Sequence, residues 1–178
     1  MGNDCVELAK EAVFKWVVDG ERISPPSDLP AELREQQRGV FVTLNKNDQL
    51  RGCMGTFEPV EENIAREIIR NSISAASKDP RFPPLQSEDL KSVRVKVDIL
   101  TEPEPAEGDE LDPSRYGVIV KKGPKRGVLL PDLEGVDDAE QQLEIVKRKA
   151  GIAQNEGDYE LYRFQVNRHT ADQPIDPR

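Results

Sequence analysis

The chain has 178 residues, enough for one domain or two unequal lobes with a sizeable buried core. Hydrophobic residues make up 36% and charged residues 33%, a balance far from the sparse apolar content of a disordered chain. The net charge of −9 opposes nucleic acid and anionic membranes unless basic residues gather on one face.

No apolar run is long enough to span a bilayer. Met1-Gly2-Asn3-Asp4-Cys5 lacks a basic stretch followed by an apolar one, and Val6 stands where a myristoylation motif needs Ser or Thr. A cytoplasmic location is therefore expected. The two cysteines, Cys5 and Cys53, read as free thiols and are too few for an all-cysteine zinc site.

Asp4 to Asp19 has the spacing of a helix, with Asp4 as cap, Leu8 or Ala9, Val13, and Trp16 or Val17 recurring on one stripe, and Gly20 as its stop. Pro25 to Pro30 predicts an ordered loop. Gly39 to Leu44 is a strand, and Asn45-Lys46-Asn47-Asp48 is turn chemistry that pairs it with Leu50 to Phe57 as a hairpin. A second helix is expected from Val60 to Ser77, entered by Pro59 and Glu61-Glu62, with Ile64, Ile68, Ser72, Ala75 and Ala76 as its buried stripe.

Ser92 to Thr101 alternates, with Val93, Val95, Val97 and Ile99 facing one way and Arg94, Lys96 and Asp98 the other, as in a strand with one buried face. The acidic, proline-containing stretch Glu102 to Pro113 reads as a surface loop. A second hairpin joins Tyr116–Val120 to Gly127–Leu130 around Lys121-Lys122-Gly123-Pro124-Lys125-Arg126. A third helix spans Val136 to Ala150, with Ala139, Leu143, Val146 and Ala150 on its stripe and Gly151 at its end. Asp158 to Asn167 is a final strand, and the polar tail from His169 to Arg178 is expected to fray. Strands that come in hairpins and outnumber about three helices predict an α+β fold with an antiparallel-rich sheet.

Arg51-Gly52-Cys53-Met54-Gly55-Thr56 is the most unusual local segment. Flanking glycines allow close backbone approach, and an adjacent arginine favours a thiolate, so Cys53 is a candidate nucleophile with Arg51 beside it and Asp79 or Glu58 as acid–base partner. The plainer reading, which is preferred, is a small thiol packed in a strand. The lone histidine, His169, would have to fold back from the tail to serve as a base.

In Asp79-Pro80-Arg81-Phe82-Pro83-Pro84-Leu85, prolines force the helix to end and hold Arg81 and Phe82 rigidly. Asp79 and Arg81 then either present charge to an anionic ligand or pin the loop as an ion pair, the second reading being preferred. Lys121, Lys122, Lys125 and Arg126 concentrate positive charge on one hairpin, which suits phosphate or RNA, although a solvated tip is the commoner outcome. No glycine-rich nucleotide motif and no histidine–carboxylate metal spacing occurs.

Leu50-Arg51-Gly52-Cys53-Met54-Gly55-Thr56 resembles the signature of the AMMECR family, whose prokaryotic members are called AmmeMemoRadiSam system protein A. The likeness extends through Arg38–Thr43, Asp79–Leu85, Gly127–Pro131, Lys149–Gly151 and Tyr162–Phe164, in the family's order. It implies an AMMECR-type α+β domain over residues 1–168, with a larger and a smaller lobe, a cleft between them, and a polar tail at 169–178. It implies no established reaction and names no cofactor. It suggests an accessory role beside a Memo-like protein and a radical S-adenosylmethionine enzyme. The family's characteristic positions fall on Arg51, Gly52, Cys53, Gly55 and Thr56, with Asn71, Asp79, Arg81 and Phe82 as a second group. Tyr116, Asp132 and Lys147 depart from the family pattern, so no role for a histidine or a second cysteine is carried over there.

Overall fold

The computed structural model describes Gly2–Arg178; Met1, at the head of the segment read above for a leader, lies outside the described residues. The chain forms two compact units, one of residues up to Ile99 together with Arg168–Arg178, the other Leu100–Asn167.

In the first unit, helix α1 (Gly2–Asp19) buries Leu8, Ala9 and Val13 as the stripe predicts. Asp4 sits inside its first turn, not at its cap. The proline loop is followed by a short helix, α2 (Ala31–Glu35), that the sequence reading does not contain. Its single buried side chain, Leu33, is too little to show a period.

Strands β1 (Val40–Lys46) and β2 (Gln49–Thr56) form the expected hairpin, with Asn47 and Asp48 at positive φ in the turn. Helix α3 (Ile64–Ser77) starts four residues later than expected. Its cap is Asn63, whose side chain accepts the Arg66 backbone N–H at 2.9 Å, while Pro59 to Glu62 stay outside as a turn. Strand β3 (Val93–Leu100) alternates as predicted from Val93 to Val97, but Asp98, expected on the open face, is fully buried, where Arg168 pairs with it. The sheet is completed by β8 (Val166–Thr170) in the order β2-β1-β3-β8, which leaves β2 as an edge. Val40, Val42 and Leu44 on β1 and Val93, Val95, Val97 and Ile99 on β3 share one core with α1 and α3. Burying each such side chain contributes about 1.5–3 kcal/mol.

The expectation of a fraying tail is overturned. Ala171 and Ile175 are buried, and the Ala171, Ile175 and Asp176 N–H groups donate to the carbonyls of Val95, Val93 and Leu90. Two apolar residues four apart carry no period of their own, so their burial depends on β3 and the turn before it being there to receive them.

The second unit holds the sheet β4-β7-β5-β6, built from β4 (Glu104–Pro105), β5 (Gly117–Lys122), β6 (Lys125–Leu129) and β7 (Glu160–Phe164). The expected final strand is thus two strands, broken at Gln165 and shared between the two sheets. Helix α4 (Ala139–Ala150) is capped by Asp138 and packs on β5 and β6 over Val118, Val120, Leu129 and Val146. The antiparallel pairs and the four helices make the protein α+β.

Candidate functional site

The motif around Cys53 lies on edge strand β2, and its two glycines serve packing. A Cβ on Gly52 would strike the Ala75 carbonyl oxygen of α3, and one on Gly55 would strike the ring of Phe41, its register partner on β1. Between them, Cys53 faces away from the helices beside Thr43, with 3.3 Å between the hydroxyl and the thiol. Cys53 is half-buried and Thr43 buried. Leu44 pairs with Gly52 and Asn45 with Leu50, so Arg51 is the extra residue of a β-bulge, a device that re-aims a side chain.

Prolines end α3 just beyond Lys78, and the next residue supplies the clamp. The Asp79 carboxylate accepts the Cys53 backbone N–H at 3.0 Å, closing an edge donor that the sheet leaves unpaired. It also accepts the Arg81 backbone N–H and both forks of its guanidinium at 2.8–3.0 Å. Asp79 is 5% exposed, whereas the Arg81 side chain is 56% exposed. The Arg81 hydrogen bond, followed by those from backbone N–H groups, holds the Asp79 carboxyl well below the usual carboxylate range. Arg81 is shifted upward, mainly by Asp79 and to a smaller degree by Cys53.

Phe82 is flanked by two guanidinium carbons, Arg81 at 5.6 Å and Arg51 at 5.7 Å from the ring centre. Arg51 also lies 3.9 Å from Asp89, which Lys46 contacts at 2.7 Å. The Lys46 bond, ahead of a backbone one from Gln86, lowers the Asp89 pKa. The structure therefore gathers Arg51, Cys53, Asp79, Arg81 and Phe82 into one rigid group.

Thr56 and Asn71 belong to a different network. The Asn71 amide donates to the Val40 carbonyl at 3.0 Å and to Thr56 Oγ1 at 3.1 Å, and that hydroxyl donates to Glu67 at 2.5 Å. Glu67, fully buried, also accepts the Val60 and Glu61 backbone N–H groups and so fixes the turn before α3. The sequence reading missed Glu67. Its signal was present, since Glu67 stands three residues after Ile64 and four before Asn71, along the buried stripe.

His169 is on β8, at the opposite edge of the sheet from β2, where it lines a cavity of about 350 Å³ with Asn3, Val6, Glu7 and Lys10 of α1. It does not join the Cys53 group. Glu58 is exposed in the bend after β2. On the basic hairpin, Lys122 pairs with Glu156 at 2.6 Å and Lys121 lies over Tyr162. Among the described residues no cluster of three or more His, Cys, Asp or Glu side chains is arranged to hold a metal ion. Among the described residues no helix is long and apolar enough to cross a membrane.

These features define a two-unit α+β protein whose cysteine-bearing edge strand is pinned by the aspartate that follows a helix. The AMMECR1 family model matches residues 6–169, and the chain belongs to the AMMECR1 family. A protein of Thermotoga maritima is 50% identical over 166 residues, which cover 92% of this chain and 95% of that one. A protein of Clostridium acetobutylicum is 49% identical over 165 residues, 92% of this chain but 35% of the relative, so the chain spans about a third of its length. The crystal structure of uncharacterized protein PH0010 from Pyrococcus horikoshii is similar, with a TM-score of 0.90 and 34% identity over 99% of this chain and 94% of that one.

Proposed function

We propose that this protein is a non-catalytic accessory module that binds a ligand or partner protein at the Cys53–Arg81–Phe82 surface. The observation that carries the reading is the Asp79 clamp, which fixes Cys53 and Arg81 together while leaving half of Arg81 exposed. Rigid arginine and aromatic side chains held ready in their bound geometry are what a recognition surface needs. A nucleophile needs a base in reach, and no imidazole stands beside this thiol among the described residues. Length adds support. In the Clostridium acetobutylicum relative the matched region is joined to a much longer stretch of chain, as befits a module that works with other protein.

The resemblance directs the choice of partner to a Memo-like protein and a radical S-adenosylmethionine enzyme in a shared cytoplasmic pathway. The test is capture of each, purified, by the immobilised chain and by an Arg81→Glu, Phe82→Ala variant. Binding weakened by about tenfold or more in the variant supports the proposal. Turnover of a substrate by the purified chain alone, abolished in Cys53→Ala, overturns it in favour of a cysteine nucleophile.

A further inference from the structure

The register of the sheet places more than a thiol on the face turned away from the helices. Thr43 pairs with Cys53 on one side and with Lys96 on the other, so Cys53, Thr43 and Lys96 form one row across β2, β1 and β3. Directly opposed side chains in such a row are about 5 Å apart at Cβ, which puts Lys96 roughly 10 Å from Cys53 at the backbone and within reach of it through a four-carbon stem. One row along, Asn45 pairs with Arg94.

The charges nearby are nearly all matched. Asp79 is bound to Arg81, Asp89 to Lys46 and Arg51, and Asp98, the acidic neighbour of Lys96 on this face of β3, to Arg168 at 2.7 Å. Lys96 and Arg94 are left over. Among the described residues neither makes an ion pair or side-chain hydrogen bond. Lys96 is also half-buried, and Thr43 at the centre of the row is 7% exposed. A partly desolvated ammonium without a counter-charge favours any anion that can reach it. This occurs in a chain of net charge −9, so the local excess of cations is opposed to the overall balance.

We infer that the Cys53 surface selects an anionic group, a carboxylate or phosphate, which lies over Thr43 between the Cys53 thiol and the Lys96 ammonium. The inference rests on the reading of this surface as a binding site and adds the charge of what it binds.

Two alkylating reagents of similar size test it on the intact chain. Iodoacetamide is neutral and iodoacetate is anionic. Cys5 is fully buried, so the folded protein reacts at Cys53, which peptide mapping verifies. The expected ratio of iodoacetate to iodoacetamide rates is higher than for a free model thiol and falls as salt is added. Lys96→Gln lowers that ratio about threefold, the effect of one unit charge roughly 7 Å away in a water-like medium. The iodoacetamide rate falls only by what the lost charge costs the thiolate itself, so the ratio of the two rates isolates the charge of the reagent. Lys15→Gln on α1, which removes the same charge from the helical layer, leaves the ratio unchanged. Protection by inorganic phosphate but not acetate assigns a phosphoryl group, and the reverse assigns a carboxylate. Rapid iodoacetamide reaction with an ordinary ratio, or a ratio indifferent to Lys96, overturns the anion inference and leaves the binding surface standing. Slow reaction with both reagents removes the surface and the inference together.

Discussion

The Asp79 carboxylate accepts the backbone N–H of Cys53 at 3.0 Å, joining a helix exit to an edge strand across 26 residues of sequence. The same carboxylate grips Arg81, so one side chain sets the position of both.

Replacing Asp79 by Asn should destabilise the first unit by about 1–3 kcal/mol, because the Arg81 fork then meets an amide and a buried group loses an acceptor. The ion-pair share of this is small, since Arg81 is half-exposed and screened. Urea unfolding at neutral pH measures the loss. The pH dependence has a definite sign. The folded pKa lies below the unfolded value, so the contribution is complete above about pH 5, begins to fall as the unfolded chain protonates in the ordinary carboxylate range, and is lost only as pH drops below the folded value, well under that range. The gap between wild type and Asp79→Asn should therefore narrow in acid.

Gly52→Ala should be more damaging than an ordinary surface change. The new Cβ meets the Ala75 carbonyl, a backbone atom of α3 that no rotamer change can move. A cost of about 1–3 kcal/mol or more is expected from overpacking, read as a lower midpoint in chemical unfolding. Unchanged stability would mean that α3 does not press on β2 as described.

Glu67→Gln should loosen the turn before α3. An amide nitrogen cannot accept, so Thr56 or the Val60 and Glu61 N–H groups lose a partner, at about 1–3 kcal/mol. Faster hydrogen exchange at Val60 and Glu61, with the second unit unaffected, is the expected readout.

Cys5 gives an alkaline signature. Burial, followed by the nearby Asp4 charge, pushes its thiol up to about 11. The unfolded chain ionises first, near the ordinary thiol value of about 8.5, so it binds fewer protons than the fold and stability falls as pH rises from there towards 11. Cys5→Ala should flatten this part of the stability curve. It is also the better background for thiol work, because serine would leave a hydroxyl at a fully buried position.

The first hairpin, α3, β3 and α4 were legible because each carries its own period, as with Val93, Val95, Val97 and Ile99 on one face of β3. Proline and glycine signals placed the exit at Asp79-Pro80 and the turn at Gly123-Pro124. The segments Arg51–Thr56 and Asp79–Phe82 were marked as a pair of interest from sequence. Asp79 was expected beside Cys53 only as an acid–base partner of the thiol; its bond to the Cys53 backbone N–H was not, and neither was the diversion of Thr56 and Asn71 into the Glu67 network.

By itself, then, the sequence determined the α+β character, most of the elements, the family and the two segments that matter, since local periodicity and turn chemistry act between near neighbours. Only the tertiary structure decided that Asp79 satisfies the Cys53 edge, that Ala171 and Ile175 lie against β3, that His169 stands at the far edge of the sheet, and that Lys96 shares a row with Cys53. Each of these depends on strand order and register, which bring together residues tens of positions apart and leave no trace in any local pattern.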